Sequence, residues 1–296
     1  MESNRNLMRS FVRLMRPSQW IKNGFVLMPL IFSGRMFVPQ EAFLAAGATI
    51  GFCLASSVTY IINDYMDRER DRIHPLKRDR PLASGAISPA IAFMFAGMLV
   101  LGILITSRCF GLSLSILWIF AAYTLLNLIY SWKLKNLVII DSLSVAFGFL
   151  LRVFAGGVSV DVQLSSWLLL CTFSIATLLV LGKRRHEVIS LGDEAFTHRA
   201  VLKSYSIGFI DQLLQTVTTS TFIFYCLYAV LGRSGDMRSD RMMISVPFVA
   251  YGIFRYIYLI YHMKMGGAPT DLLLKDYPLM ASVTLWLICC ISVIYL

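Results

Sequence analysis

Residues 41–85 read EAFLAAGATIGFCLASSVTYIINDYMDRERDRIHPLKRDRPLASG. The first part, residues 41–63, is apolar and long enough to cross ~30 Å of hydrocarbon as a helix. It passes without a break into a string that mixes carboxylates, arginines and lysines. The stretch therefore predicts a membrane helix with a charged extension at one end.

The rest of the chain repeats the apolar part of this pattern. Of the 296 residues, 57% are hydrophobic and 15% are charged, whereas a soluble domain is usually ~25% charged. We predict an all-α, polytopic membrane protein of about nine transmembrane helices, organised as a single integral membrane domain over residues 1–296. The spans are expected at 20–34, 41–63, 89–107, 111–131, 137–157, 165–183, 208–231, 243–262 and 277–296.

The connections between these spans differ strongly in positive charge. Of the 27 Lys and Arg residues, 20 lie in one alternating set of connections and 5 in the other. Basic loops stay on the cytoplasmic side of a membrane. We therefore expect a cytoplasmic N-terminus and a C-terminus on the opposite side.

Composition also excludes several classes of protein. The formal charge of +10 does not indicate a nucleic-acid partner, because the basic residues are distributed over membrane loops. The six cysteines lie in or beside apolar blocks without a CxxC pair, which argues against a disulfide framework or a zinc site. Residues 1–19 carry regularly spaced arginines and are expected to form a cytoplasmic amphipathic entry segment, not a cleaved signal peptide.

Acidic residues concentrate in the charged extension of the second span. If the helix continues, Asp64, Asp67, Asp71 and His74 share one face, with Asn63 beside them. Clustered carboxylates repel one another and are costly to bury, so a cation is expected. Mg²⁺, which prefers oxygen ligands and bridges to phosphates, fits best. The alternative is a solvated helix end paired with its own arginines, and for His74 we favour phosphate contact over metal binding.

These residues resemble the first signature of the UbiA superfamily of intramembrane prenyltransferases, NDxxDxxxD, here Asn63, Asp64, Asp67 and Asp71. The resemblance implies a helical bundle with a cytoplasmic polar cap, formed here by loops 64–88 and 183–207. It also implies that the aspartates hold Mg²⁺ and a substrate diphosphate.

The second signature of that superfamily departs from the expected pattern. Aromatic prenyltransferases carry a DxxxD motif after span six, where this chain has LGKRRHEV, residues 181–188. The string Asp236 to Asp240 falls in a loop assigned to the opposite side. Three consecutive cations favour an anion over a metal, since Arg and Lys bind phosphate directly.

Three further strings resemble a narrower branch, the polyprenyl-phosphate phosphoribosyltransferases. They are RPSQWIKN (16–23), HPxKxxRP (74–81) and GKRRxE (182–187). The resemblance implies transfer of phosphoribosyl from phosphoribosyl diphosphate to a polyprenyl (decaprenyl) phosphate at the bacterial inner membrane. The product would be a cell-envelope precursor for arabinogalactan.

On this resemblance each candidate residue receives a role. Asp64, Asp67 and Asp71 are the expected catalytic metal ligands, assisted by Asn63. Lys77 and Arg80 would neutralise the leaving diphosphate. The remaining substrate-binding candidates are His74, Lys183, Arg184 and Arg185 for phosphates, Glu187 for Lys183 or a ribose hydroxyl, and Lys22, Tyr130, Lys133, Lys135, Asp141 and Arg255 around the cap.

Several alternatives stay open. The basic string at 183–185 also fits positive-inside anchoring or anionic lipid contact, and Lys22 also fits snorkelling to the interface. At the level of function, an aromatic prenyltransferase with a polyprenyl diphosphate donor is the main alternative. A transporter is remote, because the charges crowd one cap and the halves show no repeat.

Overall fold

The computed structural model describes residues 2–73, 75, 77–191, 200–231, 239–263, 267, 272 and 274–296. These residues form helices joined by short connections, without strands, so the all-α prediction is confirmed. Four 3-10 helices cover Pro17–Leu27, Leu134–Asn136, Ala200–Ser204 and Met243–Ser245. The α-helices are α1 (Glu2–Met15), α2 (Met28–Phe32), α3 (Pro39–Met66), α4 (Arg68–Ile73), α5 (Pro89–Phe110), α6 (Leu114–Trp132), α7 (Ile140–Ser159), α8 (Ser166–Leu191), α9 (Ile207–Leu231), α10 (Ser239–Met242), α11 (Val246–Tyr261) and α12 (Tyr277–Tyr295).

Eight helices of the described chain are long and apolar enough to cross a membrane, so this is a multi-pass membrane protein. They are α3, α5, α6, α7, α8, α9, residues 243–261 and α12. The first expected span, 20–34, has a different conformation: the 3-10 helix Pro17–Leu27, here called the 3-10 segment, followed by α2. At ~2.0 Å per 3-10 residue and ~1.5 Å per α residue, residues 17–32 rise about 30 Å. The span keeps its length and loses its regular α-helical form.

Helix ends follow local sequence signals. Ser88 caps α5 by accepting a hydrogen bond from the Ile91 backbone N–H, with Pro89 at the first helical position. The same helix ends at Gly111, whose φ of 68° is the left-handed conformation that glycine adopts at low cost. Asp276 caps α12 by accepting from the Leu279 N–H. The loops are therefore fixed at the membrane boundaries by short polar signals.

Helices α3 and α7 form the centre of the bundle. More than half of the residues in their apolar windows are buried, against less than a third in α5 and α6. The outer helices present large apolar side chains outward, such as Met98 and Trp118, which are more than half exposed without lipid. Polar groups on α3 and α7 consequently face other helices and not hydrocarbon.

The 3-10 segment packs unusually closely on α7. A Cβ added at Gly156 would lie 2.0 Å from the backbone oxygen of Val26, so only glycine allows this approach. At the other end of the chain, the Tyr295 hydroxyl donates to the Ile31 carbonyl (3.0 Å) and accepts from the Met36 N–H (2.8 Å). The first and last parts of the chain therefore meet beside α7.

The charged extension of α3 differs from the single helix expected. Helix α3 ends at Met66, Asp67 forms a turn with φ −93° and ψ 2°, and α4 follows at Arg68. The Asp71 N–H still donates to the Asp67 carbonyl (2.8 Å), as in a continuous helix, so α4 departs little from the direction of α3. His74 lies outside the described residues, and its role remains a prediction.

We predict that Gly156→Ala destabilises the protein by about 1–3 kcal/mol, the usual cost of overpacking. The added methyl group must displace the Val26 backbone, which is not a flexible side chain. A lower midpoint of thermal unfolding in detergent would be the expected result.

Gly97→Ala is the matched control, because Gly97 has no atom within 4 Å of the added Cβ and lies within α5. Alanine is favoured over glycine in a helix by about 1 kcal/mol, so this variant should unfold at the wild-type temperature or higher. Equal midpoints for Gly156→Ala and wild type would contradict the close approach.

Candidate active site

Two of the three motif aspartates are buried and share one cation. Asp64 and Asp71 are 2% and 4% exposed. Nη1 of Arg80 lies 3.1 Å from Oδ1 of Asp64 and 2.6 Å from Oδ2 of Asp71. A single guanidinium nitrogen thus bridges two carboxylates whose negative charges would otherwise repel each other.

The third aspartate and the asparagine contact the next hairpin of helices. Nζ of Lys135 lies 2.6 Å from Oδ1 of Asp67. Ser131, in the last turn of α6, donates to Oδ1 of Asn63 at 2.9 Å. The connection between α6 and α7 therefore closes one side of the acidic cluster, which we define as Asp64, Asp67 and Asp71.

Arg16 reaches the same cluster from the N-terminal side. It forms an ion pair with Asp64 through Nη2, and its guanidinium lies over the Tyr60 ring at 5.2 Å. Its backbone is left-handed, with φ 52° and ψ 60°, which costs roughly 1–2 kcal/mol for a residue with a Cβ. Because Arg16 precedes Pro17, continuation of the right-handed helix is disfavoured. Sequence reasoning noted RPSQWIKN as a family string without assigning Arg16 to the site.

Other polar residues of RPSQWIKN fix the 3-10 segment against α3. Trp20 donates to the Ser57 hydroxyl (3.1 Å), which donates to the Met15 carbonyl (2.9 Å). Asn23 donates to Ser56 (3.2 Å) and accepts from Nε of Arg152 (2.8 Å). These bonds hold Arg16 at the cluster.

Lys22, the residue of this string assigned to substrate binding, bonds to Gln19 at 2.7 Å. Arg152 is buried at 4% exposure and uses all three guanidinium nitrogens, on Asn23, the Gly148 carbonyl and the Tyr123 hydroxyl. Within the described part of the chain its partners are all neutral, so Arg152 serves to join the 3-10 segment, α6 and α7.

The cluster fits a metal ion that takes only some of its ligands from protein. Among the described residues, no three Asp, Glu, His or Cys side chains lie close enough to enclose a metal on their own. Mg²⁺ usually binds one or two carboxylates, substrate phosphates and water. The cationic nitrogen of Arg80 already bridges Asp64 and Asp71, so these oxygens can share a cation.

The basic string after span six has a different geometry from the one expected. Arg184 is 2% exposed and uses all three nitrogens on protein groups: Asp141 (2.8 Å), Glu187 (2.5 Å) and the Tyr130 hydroxyl (3.4 Å). Beyond these bonds, one N–H is left on each of Nη1 and Nη2. In this packing Arg184 anchors Glu187 and Tyr130, and its expected phosphate contact stays a prediction.

Asp141, the carboxylate under Arg184, is fixed by Tyr205. The Tyr205 hydroxyl donates to Asp141 (2.8 Å) and accepts from the Ile139 N–H (2.7 Å). Burial and the hydrogen bond to Asp141 raise the pKa of Tyr205 to about 12, so the phenol stays a donor at neutral pH. Ile139 has φ 69°, which is rare for a β-branched residue. The hydrogen bond from the Ile139 N–H to Tyr205 holds this uncommon backbone conformation at the start of α7.

Other candidates lie in contacts of their own. Arg185 binds Asp211 (2.7 Å) and lies over the Tyr261 ring (4.0 Å), so it contributes to helix packing, and its expected phosphate role stays a prediction.

Arg255 forms two hydrogen bonds to Asp276 (2.8 and 3.1 Å), joining α11 to the N-terminus of α12, and its expected phosphate role likewise stays a prediction. Those bonds hold the pKa of Asp276 below its ordinary value. Lys133 is exposed at the end of α6.

Lys77 lies between the acidic cluster and the Arg184 network. Burial, together with the neighbouring Arg80, lowers the pKa of Lys77, while Asp71 and Glu187 act in the opposite direction. Glu187 is also 3.8 Å from Lys183, whose side chain is 47% exposed. Lys77, Lys183 and Glu187 are thus charged groups that lie between the acidic cluster and the hydrogen bonds of Arg184.

We predict that Arg184→Ala destabilises the protein by roughly 3–5 kcal/mol, because it leaves buried Asp141 without its cation. The double variant Arg184→Met with Asp141→Asn should recover much of this loss, since the buried charge is removed as well. Thermal unfolding in detergent measures both.

Lys183→Ala is the control within the same string, because its exposed pair contributes about 0–1 kcal/mol. A stable Arg184→Ala protein with a raised KM for a phosphorylated substrate would instead support direct phosphate binding by Arg184.

Sequence comparison identifies full-length relatives. A decaprenyl-phosphate phosphoribosyltransferase of Mycolicibacterium smegmatis is 33% identical over 96% of this chain and 92% of the relative. One of Corynebacterium glutamicum is 29% identical over 99% of this chain and 89% of the relative.

Solved structures share the fold. A UbiA homologue from Archaeoglobus fulgidus, bound to DMAPP and Mg²⁺, has a TM-score of 0.71 at 17% identity, covering 96% of this chain and 99% of that one. A digeranylgeranylglyceryl phosphate synthase has a TM-score of 0.66 at 17% identity, covering 100% and 99%. The model of the UbiA prenyltransferase family matches residues 26–269. With that match over most of its length, the chain belongs to the UbiA prenyltransferase family.

Proposed function

We propose that this protein transfers the 5-phosphoribosyl group of phosphoribosyl diphosphate to a polyprenyl phosphate, such as decaprenyl phosphate, and releases diphosphate. The observation that carries the proposal is the composition of the cap, which combines the acidic cluster with a basic string, Lys183, Arg184 and Arg185, followed by Glu187. Lys77 lies within electrostatic range of both groups. The near full-length similarity to decaprenyl-phosphate phosphoribosyltransferases supports the same activity.

The acidic cluster is the proposed donor site. Carboxylates of Asp64, Asp67 and Asp71 would hold Mg²⁺ together with substrate phosphate and water, and the ion would supply charge neutralisation for the diphosphate when bound. Arg80 and Lys77 lie next to these carboxylates and would contact the diphosphate oxygens directly. Asn63, oriented by Ser131, adds an amide at the edge of the same site.

The reaction needs no strong base on the protein. An oxygen of the lipid phosphate, already ionised at neutral pH, forms a bond to the anomeric carbon. The bond between that carbon and the diphosphate oxygen breaks, and its electron pair leaves with diphosphate. The residues need to align three phosphate groups and stabilise the leaving charge, which is the main work in phosphoryl and related transfers.

The region around Glu187 and Lys183 is the proposed binding site for the ribose 5-phosphate part of the donor. Glu187 is held by Arg184 and lies in the field of Lys77, so its carboxylate is fixed in direction. A fixed carboxylate would accept hydrogen bonds from ribose hydroxyls, and Lys183 beside it would meet the 5-phosphate. An aromatic prenyltransferase would need a second metal-binding pair of carboxylates here, and this chain has Lys183, Arg184 and Arg185 in this region.

Charge distribution and homology support a proposal for the membrane and the orientation of this site. We propose that the whole chain is a single membrane domain in the bacterial inner membrane, with the N-terminus and the cap cytoplasmic and the C-terminus opposite. The excess of basic residues in the cap loops supports this orientation. The product would supply phosphoribosyl groups for the cell envelope.

The proposal predicts transfer of label from radiolabelled phosphoribosyl diphosphate into the lipid phase when decaprenyl phosphate and Mg²⁺ are present. Omission of Mg²⁺, or of the lipid phosphate, should abolish the transfer. Turnover with a polyprenyl diphosphate and an aromatic acid, and none with phosphoribosyl diphosphate, would favour the aromatic prenyltransferase.

Asp67→Asn and Asp71→Asn should each lower Mg²⁺-dependent kcat/KM by about 100-fold or more, because a metal ligand contributes several kcal/mol. Glu69→Gln is the matched control, since Glu69 lies in the same charged stretch with a side chain 66% exposed and pairs only with neighbouring arginines. It should retain activity. Wild-type turnover in both Asp variants would exclude these residues as metal ligands.

A further inference from the structure

Arg16 and Arg184 differ in how many donors they have left. Arg184 uses all three of its nitrogens on protein acceptors. Arg16, in the described part of the chain, donates only through Nη2 to Asp64. A guanidinium carries five N–H donors in a fork that matches phosphate oxygens. Arg16, like Arg80, therefore keeps more N–H donors for a ligand than Arg184, and both are more exposed than Arg184.

Tyr60 lies beside Arg16 and one helical turn before Asp64 on α3. Four residues correspond to about 6 Å along a helix axis, and α3 runs from the membrane interior to the charged cap, so Tyr60 is deeper than Asp64. Its ring lies under the Arg16 guanidinium at 5.2 Å. The ring and the guanidinium therefore lie together on the bilayer side of the acidic cluster.

The Tyr60 hydroxyl is unpaired within the described part of the chain. It forms no hydrogen bond with any residue that the structure describes, although the side chain is half-buried among apolar helices. By contrast, the buried tyrosines 205 and 225 each bond through their hydroxyls. The Tyr60 hydroxyl is therefore available, as donor and as acceptor, to a ligand that lies beside Arg16.

Backbone strain points to the same residues. Arg16 keeps a left-handed conformation, and the Trp20 and Met15 bonds to Ser57 on α3 hold it there. Strained residues that surrounding contacts enforce cluster at functional sites. An ion pair with Asp64 alone would not require Arg16, since Arg80 already contacts the same oxygen.

We propose that Arg16 and Tyr60 form the subsite for the phosphate of the polyprenyl phosphate acceptor, separate from the diphosphate site at Arg80 and Lys77. This inference rests on the proposed function. The two phosphate sites then lie on opposite sides of Asp64: the donor enters from the aqueous cap, and the acceptor enters from the bilayer side, where its chain is already in hydrocarbon. Arg16 contacts both Asp64 and the acceptor, which places the nucleophilic oxygen next to the leaving diphosphate.

Equilibrium binding of radiolabelled farnesyl monophosphate to the full-length protein in detergent tests this subsite without the donor. Tyr60→Phe should weaken this binding by about 10-fold or more, the effect of one hydrogen bond to a charged group. Binding of farnesol, which lacks the phosphate, should not change. Arg16→Lys, which keeps a cation for Asp64 and loses the fork, should show the same selective loss.

Tyr65→Phe is the matched control. Tyr65 is on the same helix, but it is 41% exposed and packs against Phe93. It should bind farnesyl monophosphate like wild type. In turnover assays, Tyr60→Phe should raise the KM for decaprenyl phosphate and leave the KM for phosphoribosyl diphosphate unchanged.

Three results would overturn the subsite. Wild-type binding by Tyr60→Phe is one. Equal weakening of farnesyl monophosphate and farnesol is another, because Tyr60 would then contact only the chain. The third is that ribose 5-phosphate displaces farnesyl monophosphate from wild type but not from Tyr60→Phe. That result would assign the subsite to the donor. Failure of wild type to transfer phosphoribosyl would reject the proposed function and leave this binding comparison intact.

Discussion

The structure depends on neutralising three carboxylates at the end of a membrane helix. Asp64 and Asp71 are almost fully buried, and an isolated buried carboxylate is several kcal/mol less stable than in water. Each carboxylate of the acidic cluster has a cation from another segment: Arg16 precedes the 3-10 segment, Arg80 follows α4, and Lys135 lies between α6 and α7. Charge neutralisation therefore also determines how these segments assemble over α3.

The arginines of this protein fall into two kinds, which sequence alone does not separate. Arg152 and Arg184 are buried, and protein acceptors take all their nitrogens, so they join helices. Arg16 and Arg80 are about one quarter exposed and lie at the acidic cluster. Substrate contact is expected first from the second kind, because these guanidinium groups are more exposed and have more N–H donors left for phosphate.

The irregular N-terminal span brings function and packing together. Proline at position 17 and glycine at 156 allow the 3-10 segment to bend away from α1 and lie against α7. That path places Arg16 over Asp64, at the cost of a left-handed backbone. A regular helix through residues 12–27 would rotate Arg16 to a different position, so the strained form is the one that completes the site.

The sequence by itself determined the membrane class, most spans and the acidic motif. Hydrophobic length and the spacing Asn63, Asp64, Asp67 and Asp71 are local properties that need no tertiary information. Only the tertiary structure decided which cations meet the carboxylates, because these partners are 48 residues apart for Arg16 with Asp64 and 68 for Lys135 with Asp67. The three hydrogen bonds of Arg184 likewise depend on the packing of α6, α7 and α8. The hydrogen-bond partners of a side chain depend on how the helices pack, and the residue types in a short string do not reveal them.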